Sequence, residues 1–113
     1  MTARIQLALG IDEEATDVKI TRSKDGDTSV AVFIFDSPKC MSGENANNNE
    51  ILGMYMIDEE GEMVTRNVNA KFINGKSAGI EAIHKIEGER DWERFLRFMN
   101  RYAESNGMSL NKA

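Results

Sequence analysis

The feature that most restricts this chain lies near its C-terminal end. From Arg90 to Asn106 the apolar residues Trp92, Phe95, Leu96, Met99, Tyr102 and Ala103 recur at helical spacing. At ~100° per residue they fall within a sector of roughly 120°, the signature of an amphipathic helix. Glu89 and Asp91 suit the positive end of its dipole, and Asn106-Gly107 supplies a C-cap. A helix with one apolar stripe needs a flat apolar surface to cover. The residues upstream supply it, because they read as short alternating strands joined by turns. The class is therefore α+β: an antiparallel β-sheet built from hairpins, with the C-terminal amphipathic helix packed on one face.

The strands are expected over residues 4–9, 18–22, 29–36, 51–57, 62–72 and 80–86, the helix over 90–106, and a mobile loop over 37–50, all in a single domain spanning 1–113. Asp25-Gly26 and Asn74-Gly75 are hairpin-turn pairs, since each supplies a residue tolerant of positive φ. Between them, Asp58-Glu59-Glu60-Gly61 reads as a solvated turn. In Ser29–Asp36 both alternating faces are apolar, with Val30, Val32 and Ile34 on one and Ala31, Phe33 and Phe35 on the other. Such a strand belongs at the centre of a sheet, covered on both sides. Residues 77–86 admit a helical reading as well, through Ile80, Ile83 and Ile86, but the preceding Asn-Gly turn favours a strand. The 37–50 segment holds the only proline, Pro38, and the tract Asn45-Ala46-Asn47-Asn48-Asn49, and offers little apolar area to offset its ordering entropy.

Composition narrows the function by exclusion. One cysteine, Cys40, rules out an intramolecular disulfide and multi-cysteine metal sites, and one histidine, His84, rules out His-pair metal sites. No apolar run approaches the ~20 residues of a membrane span, and Met1-Thr2-Ala3-Arg4-Ile5 has no secretory or transit character. A net charge of −5 argues against nucleic acid as a partner. That charge is unevenly spread: residues 1–62 carry 5 basic and 13 acidic side chains, residues 63–113 carry 9 and 6. Opposite potentials on two faces suit docking to a charged partner in one orientation.

Catalytic chemistry finds no foothold. His84 has no Ser, Cys or carboxylate at motif spacing, Cys40 has a single basic neighbour, and Asp58-Glu59-Glu60 with Glu62 lacks the spacing of a calcium loop. No cofactor or metal site is expected. Arg90, Arg94, Arg97 and Arg101 are spaced four, three and four apart, which places them within roughly 60° of one another, opposite Trp92 and Met99. This stripe reads either as a guanidinium ladder that docks an acidic surface or as a solvated helix face neutralised by Glu93 and Glu104. If it docks, Arg94→Glu with Arg97→Glu is expected to abolish association while leaving far-UV circular dichroism and melting unchanged. An open sheet also leaves edges whose unpaired N–H and C=O groups can capture a partner's strand.

Several segments together resemble one family. Thr21-Arg22-Ser23-Lys24-Asp25-Gly26, Gly53-Met54-Tyr55-Met56-Ile57-Asp58-Glu59-Glu60-Gly61-Glu62, and Ala70-Lys71-Phe72-Ile73-Asn74-Gly75-Lys76 match its three hairpin turns, and Trp92–Ala103 matches its C-terminal helix. The resemblance, from about residue 4 to residue 110, is to the Psb twenty-eight family, also known as the photosystem II 13-kDa or reaction-centre W proteins. The chain departs from it at Ser77-Ala78, at His84, where an aromatic is common, and in an asparagine-rich loop. The resemblance implies a non-catalytic, cofactor-free accessory or assembly factor, peripheral to the thylakoid membrane on its cytoplasmic or stromal side. It implies transient binding to photosystem II assembly intermediates, near the larger core antenna and the reaction-centre subunits. A tail strand of that antenna would add to the sheet and the immature centre would be protected. It also implies a monomer when free. Partner-binding residues carried over are Arg22, Ser23, Lys24, Asp25 and Gly26 at the first turn, and Lys71, Phe72, Asn74, Gly75 and Lys76 at the third. Arg90, Arg94, Arg97 and Arg101 join them by spacing alone. A regulatory role in chlorophyll biosynthesis or pigment delivery is the alternative the same resemblance leaves open.

Overall fold

The computed structural model describes residues 3–8, 10–24, 27–36, 51, 53–74 and 76–106; for 71–73, 76–78 and 106 it describes the backbone alone. The expected 37–50 loop lies outside these residues, as do Cys40 and Gly107. Eight strands precede one helix among them: β1 Arg4–Gln6, β2 Asp12–Glu13, β3 Asp17–Arg22, β4 Thr28–Phe35, β5 Met54–Asp58, β6 Gly61–Thr65, β7 Val68–Ile73, β8 Lys76–Glu87, and α1 Gly88–Asn106. The antiparallel α+β class is as expected. The strands form two sheets, however, ordered β2-β1-β5-β6 and β3-β4-β8-β7.

The division arises at a place where alternation gives no warning. Val64, Val68, Ala70 and Phe72 keep a period of two, so residues 62–72 read as one strand, yet the chain breaks at Arg66–Asn67 and changes sheets. There the Val68 N–H turns back to the Arg66 carbonyl at 3.0 Å, a three-residue turn. The Thr65 hydroxyl donates to the Ile83 carbonyl at 2.7 Å, and the Ile83 N–H donates to the Asn67 carbonyl at 2.8 Å. These bonds satisfy the main chain through the crossing. Residues 77–86 are strand and not helix: β8 runs antiparallel to β4 from Thr28↔Glu87 to Phe35↔Ile80.

The first strand is shorter than the expected 4–9 because Gln6 ties off a turn. Its side-chain amide donates to Asp12 Oδ1 at 2.8 Å and its Oε1 accepts the Gly10 N–H at 3.0 Å. The acidic connector that follows thereby returns as β2. The connector is held to the helix by the buried Tyr102 hydroxyl, which accepts the Ala15 N–H at 3.0 Å and donates to the Glu13 carbonyl at 3.2 Å. Burial pushes the Tyr102 phenol pKa up, and the Ala15 hydrogen bond opposes that shift.

Both sheets and the helix share one core. Ala31, Phe33, Phe35, Ile80, Ala82 and Ile86 face it from the β4–β8 sheet, Ile5, Met54 and Met56 from the other, and Trp92, Phe95, Phe98, Met99 and Tyr102 from α1. The outer residues of β4, Val30, Val32 and Ile34, are only half-buried, so the central strand is covered fully on one side. Phe98, absent from the predicted stripe, is fully buried and stacks on Tyr102 with centroids 5.9 Å apart. It widens the apolar sector of α1 to roughly 160°, as a helix touching two sheets requires. Gly88 has φ of 85°, and this turns β8 directly into α1 with no linker.

Candidate functional site

The first and third turns, which carry the candidate partner-binding residues, close the β3–β4 and β7–β8 hairpins of one sheet, at opposite ends. The β3–β4 turn lies beside Glu87 and the start of α1, where the Gly88 N–H donates to the Asp27 carbonyl at 2.8 Å. The β7–β8 turn lies at the far end of β8, separated by roughly 35 Å of strand at ~3.3 Å per residue. The two sets therefore do not make one contiguous site.

At the first turn, the Ser23 N–H donates to the Thr28 carbonyl at 2.7 Å and Ser23 Oγ accepts the Thr28 N–H at 3.2 Å, which closes the hairpin. Lys24 is exposed. The Arg22 guanidinium sits 4.6 Å from the Trp92 ring centroid and 3.6 Å from Glu89. Asp25 and Gly26 lie outside the described residues. At the third turn, Asn74 is exposed and has φ of 53°, the left-handed conformation that asparagine tolerates. The ladder shifts register between Lys71 and Phe72. Gly75 and the side chains of Lys71, Phe72 and Lys76 lie outside the described part of the structure.

The arginine stripe meets its acids inside the molecule. The β5–β6 hairpin places Asp58, Glu59 and Glu60 against α1. Arg94 forms a bidentate pair with Asp58 at 2.8 and 2.7 Å, and Arg97 forms one with Glu60 at 2.9 and 3.0 Å. Arg101 reaches Asp58 at 2.9 Å and Glu59 at 3.1 Å, and bonds Glu60 as well. The Asp58 side chain is 0% exposed, Arg94 18%, Arg101 22% and Arg97 48%. Burial alone would push the Asp58 carboxyl up. Hydrogen bonds from Arg94, Arg101 and the Glu60 N–H, with the charge of Arg94, outweigh it and hold the group below its usual range. Hydrogen bonds from Arg97 and Arg101 bring Glu60 down to about 2. The Asp58 end of the turn is thus sealed and not solvated, and the stripe is not a uniformly exposed face. Charge reversal at Arg94 would set a carboxylate against Asp58, so stability cannot be indifferent to it. Arg90 alone of the four is exposed and free of an ion pair among the described residues.

Local spacing could not reveal this cluster, because its partners lie 36 to 43 residues apart. The signal available was a run of three acids and a helical run of four arginines of opposite sign. His84, where no catalytic set was expected, stacks on Phe95 with centroids 5.7 Å apart. Burial pushes its pKa down, opposed by Asp91. Among the described residues no group of three or more His, Cys, Asp or Glu side chains could hold a metal ion.

Fold and surfaces together define a small α+β module that presents hairpin turns and sheet edges to its surroundings. The Psb28 protein family model matches residues 5–110. The chain is 53% identical over 112 residues to the Photosystem II reaction center Psb28 protein of Pyropia yezoensis, covering 98% of this chain and 97% of that one. It is 50% identical over 112 residues to the protein of the same name in Guillardia theta, with the same coverage. With that of Synechococcus elongatus it shares 49% identity over 114 residues and the full length of both chains. The chain belongs to the Psb28 family.

Proposed function

We propose that the chain is a non-catalytic accessory factor of photosystem II that binds assembly intermediates from the cytoplasmic or stromal side of the thylakoid membrane. It docks near the larger core antenna and the reaction-centre subunits, by adding a partner strand to an edge of its sheet, and protects the immature centre. The observation that carries this reading is full-length similarity to relatives named as photosystem II reaction center Psb28 proteins. Two further features agree with it. No helix among the described residues is long and apolar enough to cross a membrane, which suits a peripheral protein. Among the described residues both sheets end in antiparallel edge strands, β2 and β6 in one and β3 and β7 in the other, of the kind that accept an extended segment. Arg22, Ser23 and Lys24 at one end of the second sheet, and Asn74 at the other, are the contact points on this reading.

The test is a pull-down with tagged protein from gently solubilised cyanobacterial thylakoids, read by mass spectrometry. Recovery of core antenna and reaction-centre subunits without the extrinsic oxygen-evolving proteins is the expected outcome. Recovery of pigment-synthesis enzymes alone, or of nothing above background, would overturn it.

A further inference from the structure

The sheet change at Arg66–Asn67 leaves a wedge between β6 and β8. Ile83 uses its N–H and carbonyl on Asn67 and Thr65, on the side away from β4. By the period of a strand, the N–H and carbonyl of Lys85 point to that same side. Among the described residues no strand meets them: β7 begins at Val68, opposite Ala82, and β6 is paired with β5. The main-chain donor and acceptor of Lys85 thus open into the wedge without a hydrogen-bond partner among the described residues.

The wedge is a cavity of about 220 Å³ between Met63 and Val64 on one wall and His84, Lys85 and Ile86 on the other, closed by α1 at Asp91 and Arg94. Ile86 is 2% exposed and forms a floor, whereas Val64, at 39%, is an exposed large hydrophobic at the rim. Stacking on Phe95 fixes the plane of the His84 imidazole. The cations nearby are already committed, Arg94 to Asp58 and the Lys85 ammonium to Glu87 at 3.2 Å. The chemistry left open is an imidazole, one peptide donor and acceptor, aliphatic surface and, at the rim, the Asp91 carboxylate. The volume is smaller than the ~300–1,000 Å³ of small-molecule sites and fits a single large side chain. The Asp91 carboxylate at the rim disfavours an acidic one.

We propose that this wedge is a socket for one phenol or indole side chain carried on an extended segment of a partner protein. The ring lies against Met63, Val64 and Ile86, its O–H or N–H bonds His84, and the segment's own peptide group pairs with Lys85. The proposal rests on the reading of the chain as a binding module and names a side-chain-specific contact for it.

Amide NMR of the full chain, titrated separately with toluene, p-cresol and N-acetyltyrosine methylamide, tests the socket without any photosystem. Saturable shifts are expected at Val64, Lys85 and Ile86. Affinity should rise from toluene to p-cresol to the tyrosine derivative, by roughly fivefold for each hydrogen-bonding group added. His84→Phe keeps a ring against Phe95 and should cancel the advantage of p-cresol over toluene. Val64→Ser, at an exposed position, should weaken all three. Absence of shifts at these residues, or a p-cresol preference that survives His84→Phe, overturns the proposal. So does a tyrosine derivative no tighter than p-cresol, which would mark a site for free small aromatics. A pull-down that fails while the probes bind would instead count against the photosystem reading alone.

Discussion

One helix carries arginines in two different situations. From its second turn onward, Arg94 and Arg101 close over Asp58, a carboxylate with no exposed surface, and Arg97 covers Glu60 from the outside. At its N-terminal end, Arg90 is exposed and lies on the same end of the helix as Arg22, which rests on the Trp92 face, and Lys24. Spacing alone treats Arg90, Arg94, Arg97 and Arg101 as equivalent. The structure separates them by what the β5–β6 turn brings up against them. Arginines that meet an acid of the β5–β6 turn fix the hairpin to the helix, and Arg90, which meets none among the described residues, stays exposed.

The strongest way to break this distinction is to remove the central acid. Asp58→Ala leaves Arg94 and Arg101 partly buried with Glu59 and Glu60 as their remaining acids. Breaking such a pair costs about 3 kcal/mol. Urea unfolding followed by circular dichroism should show a lower midpoint at unchanged slope. A variant as stable as the parent would mean that the cluster holds nothing together.

Acid should sharpen the same contrast. Glu60 has a folded pKa of about 2 against an ordinary 4.5, and Asp58 is also held below its ordinary 3.8. Depressed carboxyl pKa values contribute stability that is fully present above the unfolded values and lost as pH falls through the folded ones. The stability gap between the parent and Glu60→Gln should therefore be constant above pH 4.5, narrow below it, and vanish near pH 2. A gap that does not change with pH would show that Glu60 acts through shape and not through charge.

His84 supplies a second, separate limb. Its folded pKa lies below the ordinary 6.5, so its contribution is present above pH 6.5 and lost as pH falls through the folded value. His84→Phe should flatten the stability profile between neutral pH and the onset of the carboxylate limb. If both limbs disappear together in this variant, the histidine and the ionic cluster are coupled, not independent.

Much of this architecture was legible because it is local. The α1 stripe, the β3–β4 and β7–β8 hairpin pairings and the alternation in β4 are set by neighbours a few residues apart, and each appears where its pattern placed it. What failed were the features decided by distant partners. Residues 62–72 keep one alternation across a change of sheet, because the break is made by Thr65 and Asn67 bonding Ile83. Phe98 falls outside the predicted stripe, yet it is fully buried and stacked on Tyr102. The arginine stripe looked like surface because its acids sit on a hairpin some forty residues away. Of the candidate contact residues, Ser23 and Asn74 have legible roles in their turns, but nothing local indicated that those turns lie at opposite ends of one sheet.

The smallest effect on stability gives the sharpest test of which arginines face a partner. Arg90→Glu changes a side chain that is exposed and has no ion pair among the described residues. Exposed charges of this kind contribute little to folding, so its melting should match the parent. Arg97→Glu also changes an outer residue, but it places a fourth carboxylate beside Glu60 and removes the bidentate pair. Its melting should fall. If the N-terminal end of α1, with Arg22 and Lys24, is the docking end, Arg90→Glu should lose association with the photosystem complex while fully folded. Arg97→Glu should retain association in proportion to its folded fraction. The opposite result, association lost in folded Arg97→Glu and kept in Arg90→Glu, would move the docking surface to the middle of the helix. It would also mean that a partner's acids displace Glu60, the outermost and least buried member of the cluster's innermost pair of acids, since Asp58 is sealed and Glu60 remains 30% exposed.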